Sequence, residues 1–146
     1  MEDLSGNIYI NSNAIARLTS AAADNKIRPF GFTASYAFVI MAVERSPGIG
    51  QKEIGSMFHL APSTVTRFID KLEKKGLLKR RQNGKSVSVE LTQRGKKLAG
   101  EIDRSVQDIE KELSDKMGDK YMKTLNQMMQ HGIILLSQTE NKQGNS

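Results

Sequence analysis

Apolar residues recur at helical spacing from Ile8 to Asp24, with Ile15, Leu18 and Ala22 on one stripe, which predicts a first helix. The run Lys26–Phe32 (KIRPFGF) breaks the pattern, because Pro29 disfavours a helical residue before it and Gly31 admits an unusual turn. Thr33 suits the N-cap of a second helix whose inner stripe is Ala34, Ala37, Phe38 and Met41, and Ser46-Pro47-Gly48 ends it. A short third helix turns Ile54, Met57 and Phe58 inward. Pro62 opens a fourth at the position where a missing N–H costs nothing. Its stripe is Val65, Phe68, Ile69 and Leu72, and Gly76 takes the left-handed stop.

Then the period changes. Val87, Val89 and Leu91 alternate with Ser86, Ser88 and Glu90, the signature of a half-buried strand. Asn83-Gly84 separates this run from Leu78–Gln82 and predicts a hairpin with a two-residue type I′ turn, pairing Gln82 with Lys85, Arg80 with Val87 and Leu78 with Val89. From Thr92 a long helix carries Leu98, Ile102, Val106, Ile109, Leu113 and Met117 on a narrow stripe suited to packing on another helix. Met117-Gly118-Asp119 breaks it, and a last helix places Met122, Leu125, Met129, Ile133 and Leu136 on one side. Residues 141–146 (NKQGNS) read as a disordered tail.

The 146 residues suit one domain with a helical extension, and the absence of Cys excludes disulfide scaffolds, Cys-ligated zinc, iron–sulfur clusters and thiol switches. No apolar run approaches the roughly 20 residues of a membrane span, and the start lacks a signal-peptide pattern, so a soluble, cytoplasmic protein is expected. The net charge of +6 is unevenly spread. Residues 48–97 hold twelve basic groups against four acidic ones (Glu53, Asp70, Glu73, Glu90), while the flanking segments are neutral or slightly acidic. A basic segment between neutral ones reads as a footprint for a polyanion, with a merely solvated basic face as the alternative.

Two short helices joined at His59-Leu60-Ala61, a basic hairpin and long flanking helices describe a mainly α (α+β) winged helix-turn-helix with a two-stranded wing. The fourth helix opens with Ser63, Thr64, Thr66 and Arg67, residue types that bond base edges and phosphates; Lys71, Lys74 and Lys75 continue the exposed side. Arg80, Arg81 and Lys85 make the wing basic. Enzyme chemistry is not expected: there are two histidines in different lobes, no Ser, His and acid arrangement, and no phosphate-binding Gly-rich loop. No metal or other cofactor is expected either, since a metal sensor wants several His or Cys ligands. The methionines of the last two helices read as adaptable packing. A winged helix that binds protein instead of DNA is the competing class, and it predicts no sharp salt dependence on duplex DNA.

Gln51-Lys52-Glu53-Ile54, Pro62-Ser63-Thr64-Val65-Thr66-Arg67, Asp70-Lys71-Leu72-Glu73-Lys74-Lys75-Gly76-Leu77 and Leu91-Thr92-Gln93-Arg94-Gly95, with Gly31-Phe32-Thr33 upstream, resemble the multiple-antibiotic-resistance regulator (MarR) family from about residue 8 to 138. The resemblance implies a bacterial or archaeal transcription factor, usually a repressor, that binds a pseudo-palindromic duplex as a homodimer. It implies a DNA-binding lobe over about residues 30–97 and a dimerisation region over about 8–28 and 98–138. The DNA-contact set expected is Gln51, Lys52, Ser63, Thr64, Thr66, Arg67, Lys71, Lys74, Arg80, Arg81 and Lys85. Three departures stand out. The tip Gln82-Asn83-Gly84-Lys85 is short and lacks the family's Asp and Arg; His59 stands where Gly is frequent; and Ala61 stands where an N-cap Ser or Asp is common. Many members release DNA when a small aromatic acid binds beside the dimer helices. Phe30, Phe32, Tyr36 and Phe38 put four of the eight aromatics within nine residues, as ordinary core or as an effector cleft between the first two helices and the long one. In the cleft reading Phe30 and Tyr36 line it, and Arg17 or Arg28 pairs the carboxylate.

Overall fold

The computed structural model describes residues 4–143. Asn7 opens the first helix (α1, Ile8–Ile27), its Oδ1 accepting from the N–H groups of Tyr9 at 2.9 Å and Ile10 at 3.3 Å. α1 outruns its expected end at Asp24. Ile15 and Ala22 of the expected stripe are half-buried, as is Thr19, and Ala23 and Ile27 are buried, whereas Leu18 is 68% exposed.

Arg28–Phe30 tighten into a 3₁₀ turn that Gly31 closes at φ 83°. The second helix (α2, Ala34–Arg45) is capped from a distance: Asp24 Oδ1 accepts from the Ala34 N–H at 2.7 Å, and Thr33 makes no side-chain cap bond. Ala37, Val39, Ile40, Met41 and Val43 of α2 are buried, and Phe38 is only half-buried. Ile49–Gly50 then form a short strand (β1) that the sequence did not announce, because two residues carry no alternation to read.

Gly50 leads into α3 (Gln51–Phe58), where Glu53 Oε2 accepts from the Gly50 N–H at 2.7 Å. Ile54 is buried, but Met57, expected inward, is 51% exposed. His59 ends α3 in the left-handed conformation (φ 53°, ψ 41°), which suits His better than most residues. Ala61 precedes α4 (Pro62–Lys74) without a side-chain cap, and Val65, Phe68, Ile69 and Leu72 are buried along it. A Cβ on Gly55 would lie 3.2 Å from the Leu60 carbonyl oxygen, so glycine lets α3 and the turn approach closely. Gly76 stops the chain after α4 at φ 71°.

Strands β2 (Leu78–Asn83) and β3 (Ser86–Leu91) form the wing, and the antiparallel sheet runs β1-β3-β2. The register differs from the expected one by two residues: Leu78 pairs with Leu91, Arg80 with Val89, Gln82 with Val87 and Asn83 with Ser86. The turn residues are therefore Gly84 and Lys85, not Asn83 and Gly84. Gly84 alone is at positive φ (61°), which is the type II′ arrangement with Gly first, whereas type I′ needs two positive φ values. α2 sits at the centre of this assembly and packs on α1, α4 and β3, as a helix buried nearly all round requires.

Thr92 joins the wing to α5 (Gln93–Met117). Its hydroxyl donates to the Gly76 carbonyl at 2.7 Å and accepts from the Gly95 N–H at 3.0 Å, so one side chain caps α5 and ties it to the end of α4. The chain up to Ile109 forms one compact unit and the chain from Glu110 a second. In the first, Ala99, Ile102, Val106 and Ile109 of α5 are buried, and Leu98 is half-buried. In the second, Leu113 and Met117 are half-buried, Gly118 breaks the chain at φ 85°, and α6 runs Asp119–Gln143. Residues 141–143, expected in the tail, are thus helical, and 144–146 lie outside the described residues. No helix among the described residues is long and apolar enough to cross a membrane.

Candidate nucleic-acid interface

With its apolar stripe buried, α4 turns Ser63, Thr66, Arg67, Lys71 and Lys74 to solvent, while Thr64 is half-buried. Lys52 is exposed on the adjoining α3, and Lys85 is exposed at the wing turn. Lys71 and Arg67 are steered by aromatic faces: Lys71 Nζ lies 4.7 Å from the ring centre of Tyr36, and the Arg67 guanidinium 5.7 Å from that of Phe68. Those two rings are themselves in contact, 4.5 Å apart.

Gln51, Thr66 and Arg80 come together in one polar network. Arg80 Nε donates to Gln51 Oε1 at 3.0 Å, and Gln51 Nε2 donates to Thr66 Oγ1 at 3.2 Å. The Arg80 guanidinium also bonds Asp70 and Glu73 on α4, and the backbone N–H of Arg80 donates to Glu73 Oε1 at 3.3 Å. Arg80 was expected in the DNA-contact set; its charge is instead engaged inside the protein. Asp70 and Glu73, which hold it, were not among the expected contact residues. Their signal was rarity, as two of only four acids in the basic segment.

All four acids of that segment are engaged. Glu53 holds the start of α3, Asp70 and Glu73 hold Arg80, and Glu90 pairs with Arg81 at 2.8 Å and Lys79 at 3.8 Å. Lys52, Arg67, Lys74, Lys75 and Lys85 make no ion pair among the described residues, so their positive charge is uncompensated locally. The acidic groups in the basic segment serve the fold, leaving these cations for an outside partner.

The four residues expected around an effector are not gathered in one place. Phe30 lines a hollow of about 560 Å³ with Phe32, Lys75, Leu77, Arg94, Lys97 and one carboxylate, Glu101. Arg28 Nη2 donates to Asn25 Oδ1 at 3.2 Å, Arg17 is exposed on α1, and Tyr36 lies under Lys71. The hollow thus lies between the 3₁₀ turn, the end of α4 and α5. Its cations are Lys75, Arg94 and Lys97, which only the tertiary fold brings beside Phe30. A row of rings leads away from it: Phe30 to Phe32 at 6.5 Å, Phe32 to Tyr36 at 6.4 Å, and Tyr36 to Phe68 on α4.

The chain matches known proteins on the same elements. The MarR family description fits residues 32–86. An uncharacterized HTH-type transcriptional regulator of Bacillus subtilis (strain 168), YwoH, is 33% identical over 113 residues, 72% of this chain and 82% of the relative. A solved mutant MarR from E. coli complexed with operator DNA superposes with a TM-score of 0.78 at 20% identity, covering 90% of this chain and 98% of that one. The transcriptional regulator SlyA also gives 0.78, at 20% identity over 91% of this chain and 96% of its own. A MarR regulator from Methanosarcina mazei Go1 gives 0.74 at 24% identity, over 88% and 97%. These superpositions establish the winged-helix fold.

Proposed function

We infer that this chain, which belongs to the MarR family of DNA-binding transcriptional regulators, is a homodimeric repressor that reads a pseudo-palindromic duplex through α4 and steadies it with the wing. The observation that carries this reading is the set of exposed cations that make no ion pair among the described residues, Lys52, Arg67, Lys74 and Lys85, on α3, α4 and the wing turn. Ser63, Thr64, Thr66 and Arg67 of α4, with Gln51 of α3, are the base-reading groups. Lys52, Lys71, Lys74 and Lys85 meet phosphates, which position the protein without reading sequence, and Arg81 joins them because its side chain stays exposed although it pairs with Glu90. Arg80 stands outside the contact set because its charge is held by Asp70 and Glu73.

The hollow beside Phe30 and Phe32 suits a small aromatic acid, with the rings taking its plane and Lys75, Arg94 or Lys97 its carboxylate. Occupancy there bears on Phe32, hence on Tyr36 and Phe68, the rings beneath Lys71 and Arg67. Release of DNA on binding follows if the acid favours a different setting of that row.

The experiment is selection of bound duplexes from a random pool, followed by titration of the best duplex and a scrambled one at several salt concentrations. A preference for the selected duplex and a steep fall of affinity with salt are expected. Equal, salt-insensitive binding of both duplexes would leave the chain a protein-binding winged helix. Benzoate or salicylate at millimolar concentration, added to the same titration, should weaken the complex; unchanged affinity and melting temperature reject the effector.

A further inference from the structure

We propose that Arg80 is a positioning residue that fixes the hydrogen-bonding polarity of α4, so that Thr66 reads bases bearing an amino group, adenine or cytosine, and rejects guanine and thymine; this rests on the reading above that α4 meets base edges. A guanidinium has donors only, so the atom facing Arg80 Nε must be the acceptor end of the Gln51 amide. That orientation turns the amide nitrogen toward Thr66, whose Oγ1 accepts its proton. The Thr66 hydroxyl then sends its own proton to the Pro62 carbonyl, 3.0 Å away. The three bonds run in one direction, from Arg80 to Gln51 to Thr66 to Pro62.

The consequence lies in what is left over. A threonine hydroxyl ordinarily bonds donors and acceptors alike, because its proton rotates to suit. Here the proton is committed and one lone pair is taken, so Thr66 has only an acceptor to offer. Gln51 keeps one spare N–H and one lone pair on Oε1, but Arg80 and Thr66 fix which end of the amide faces which way, so it cannot turn over as a free Gln can. In the major groove adenine and cytosine present an exocyclic amino donor, whereas guanine and thymine present a carbonyl oxygen at the corresponding place. An acceptor fixed in advance therefore separates the two classes. Asp70 and Glu73 complete the device, because they hold the guanidinium that starts the chain of bonds.

The test is a panel of selected duplexes carrying each of the four bases at every position, titrated with the wild type, Thr66→Val, Thr66→Ser and Arg80→Met. At one position per half-site the wild type should prefer adenine and cytosine by about fivefold, one hydrogen bond's worth. Thr66→Val should erase that preference and so identify the position, and Thr66→Ser should keep it. Arg80→Met should relax the preference while the salt dependence stays that of the wild type, because Arg80 touches no phosphate. If Arg80→Met keeps the preference, or lowers the salt slope by the roughly 0.9 of a lost phosphate contact, the assignment is overturned. A preference for guanine or thymine at the Thr66 position overturns it as well. Should Arg80→Met fail to fold, the base class lost in Thr66→Val decides alone. A wild type that prefers no duplex at all would instead sink the reading of α4 as a base reader.

Discussion

Gly95 and Gly100 stand on the same helix and should answer oppositely to the same substitution. A Cβ on Gly95 would sit 2.1 Å from the Leu77 carbonyl oxygen and 3.2 Å from the Leu91 side chain, so the backbone itself must yield. Gly95→Ala should cost about 1–3 kcal/mol or more, the range for overpacking a tight site. Gly100 has nothing within 4 Å of the added carbon, and its helical backbone favours Ala. Gly100→Ala should stabilise by about 0.5–1 kcal/mol. Urea titration of both variants checks the pair, and equal midpoints would contradict the close contact at Leu77. At this scale the sequence speaks unevenly. His59 at the turn and the bare N-cap at Ala61 were legible through the family resemblance, in which Gly and a capping Ser or Asp are common at those places. The Asp24 cap on α2 and the crowding at Gly95 were not, since each depends on a neighbour that only the folded chain supplies.

Among the elements, α4 was the most legible. Pro62, four apolar positions and Gly76 fix its start, its buried face and its stop, and those positions also decide which side chains face outward. The wing was legible in kind but not in register. A shift of two residues keeps every side chain on its face, so the alternation of Val87, Val89 and Leu91 could not reveal it. The shift moves Lys85 into the turn itself, beside Gly84. From there Lys85 is suited to meeting a phosphate, whereas Arg67 on α4 carries the fork that pairs guanine. Arg67→Ala should therefore flatten discrimination among duplex variants by about 1–3 kcal/mol. Lys85→Ala should weaken all duplexes alike and reduce the salt slope by roughly 0.9 per site. The same titrations, run against selected and scrambled DNA, separate the two roles. Loss of sequence preference in Lys85→Ala with its retention in Arg67→Ala would make the wing the reader.

The exposed apolar residues are a property of the chain as a whole. On α6, Ile134 is 55% and Leu136 73% exposed, and in the first unit Ile8 and Tyr9 are 82% and 75% exposed. This exposed apolar surface is what the proposed homodimer would cover, a second copy being the partner that the proposed two-fold DNA site asks for. The sequence pattern showed that these helices carry more apolar residues than one lobe needs. It did not show which of them a single protomer covers for itself, because periodicity marks a stripe and not its neighbour. Ile109 illustrates the difference: it is 5% exposed within the first unit, so a charge there reports on folding. Leu136 is the cleaner probe. Leu136→Glu alters little that one protomer buries, so helicity should persist while the mass by light scattering falls from dimer to monomer. Affinity for a duplex with half-sites about 10–10.5 bp apart should then drop toward that of a single half-site, since the second contact no longer follows the first within one molecule. A wild type that scatters as a monomer at micromolar concentration, or a Leu136→Glu variant that stays dimeric with full affinity, would show that this end of α6 does not join two copies.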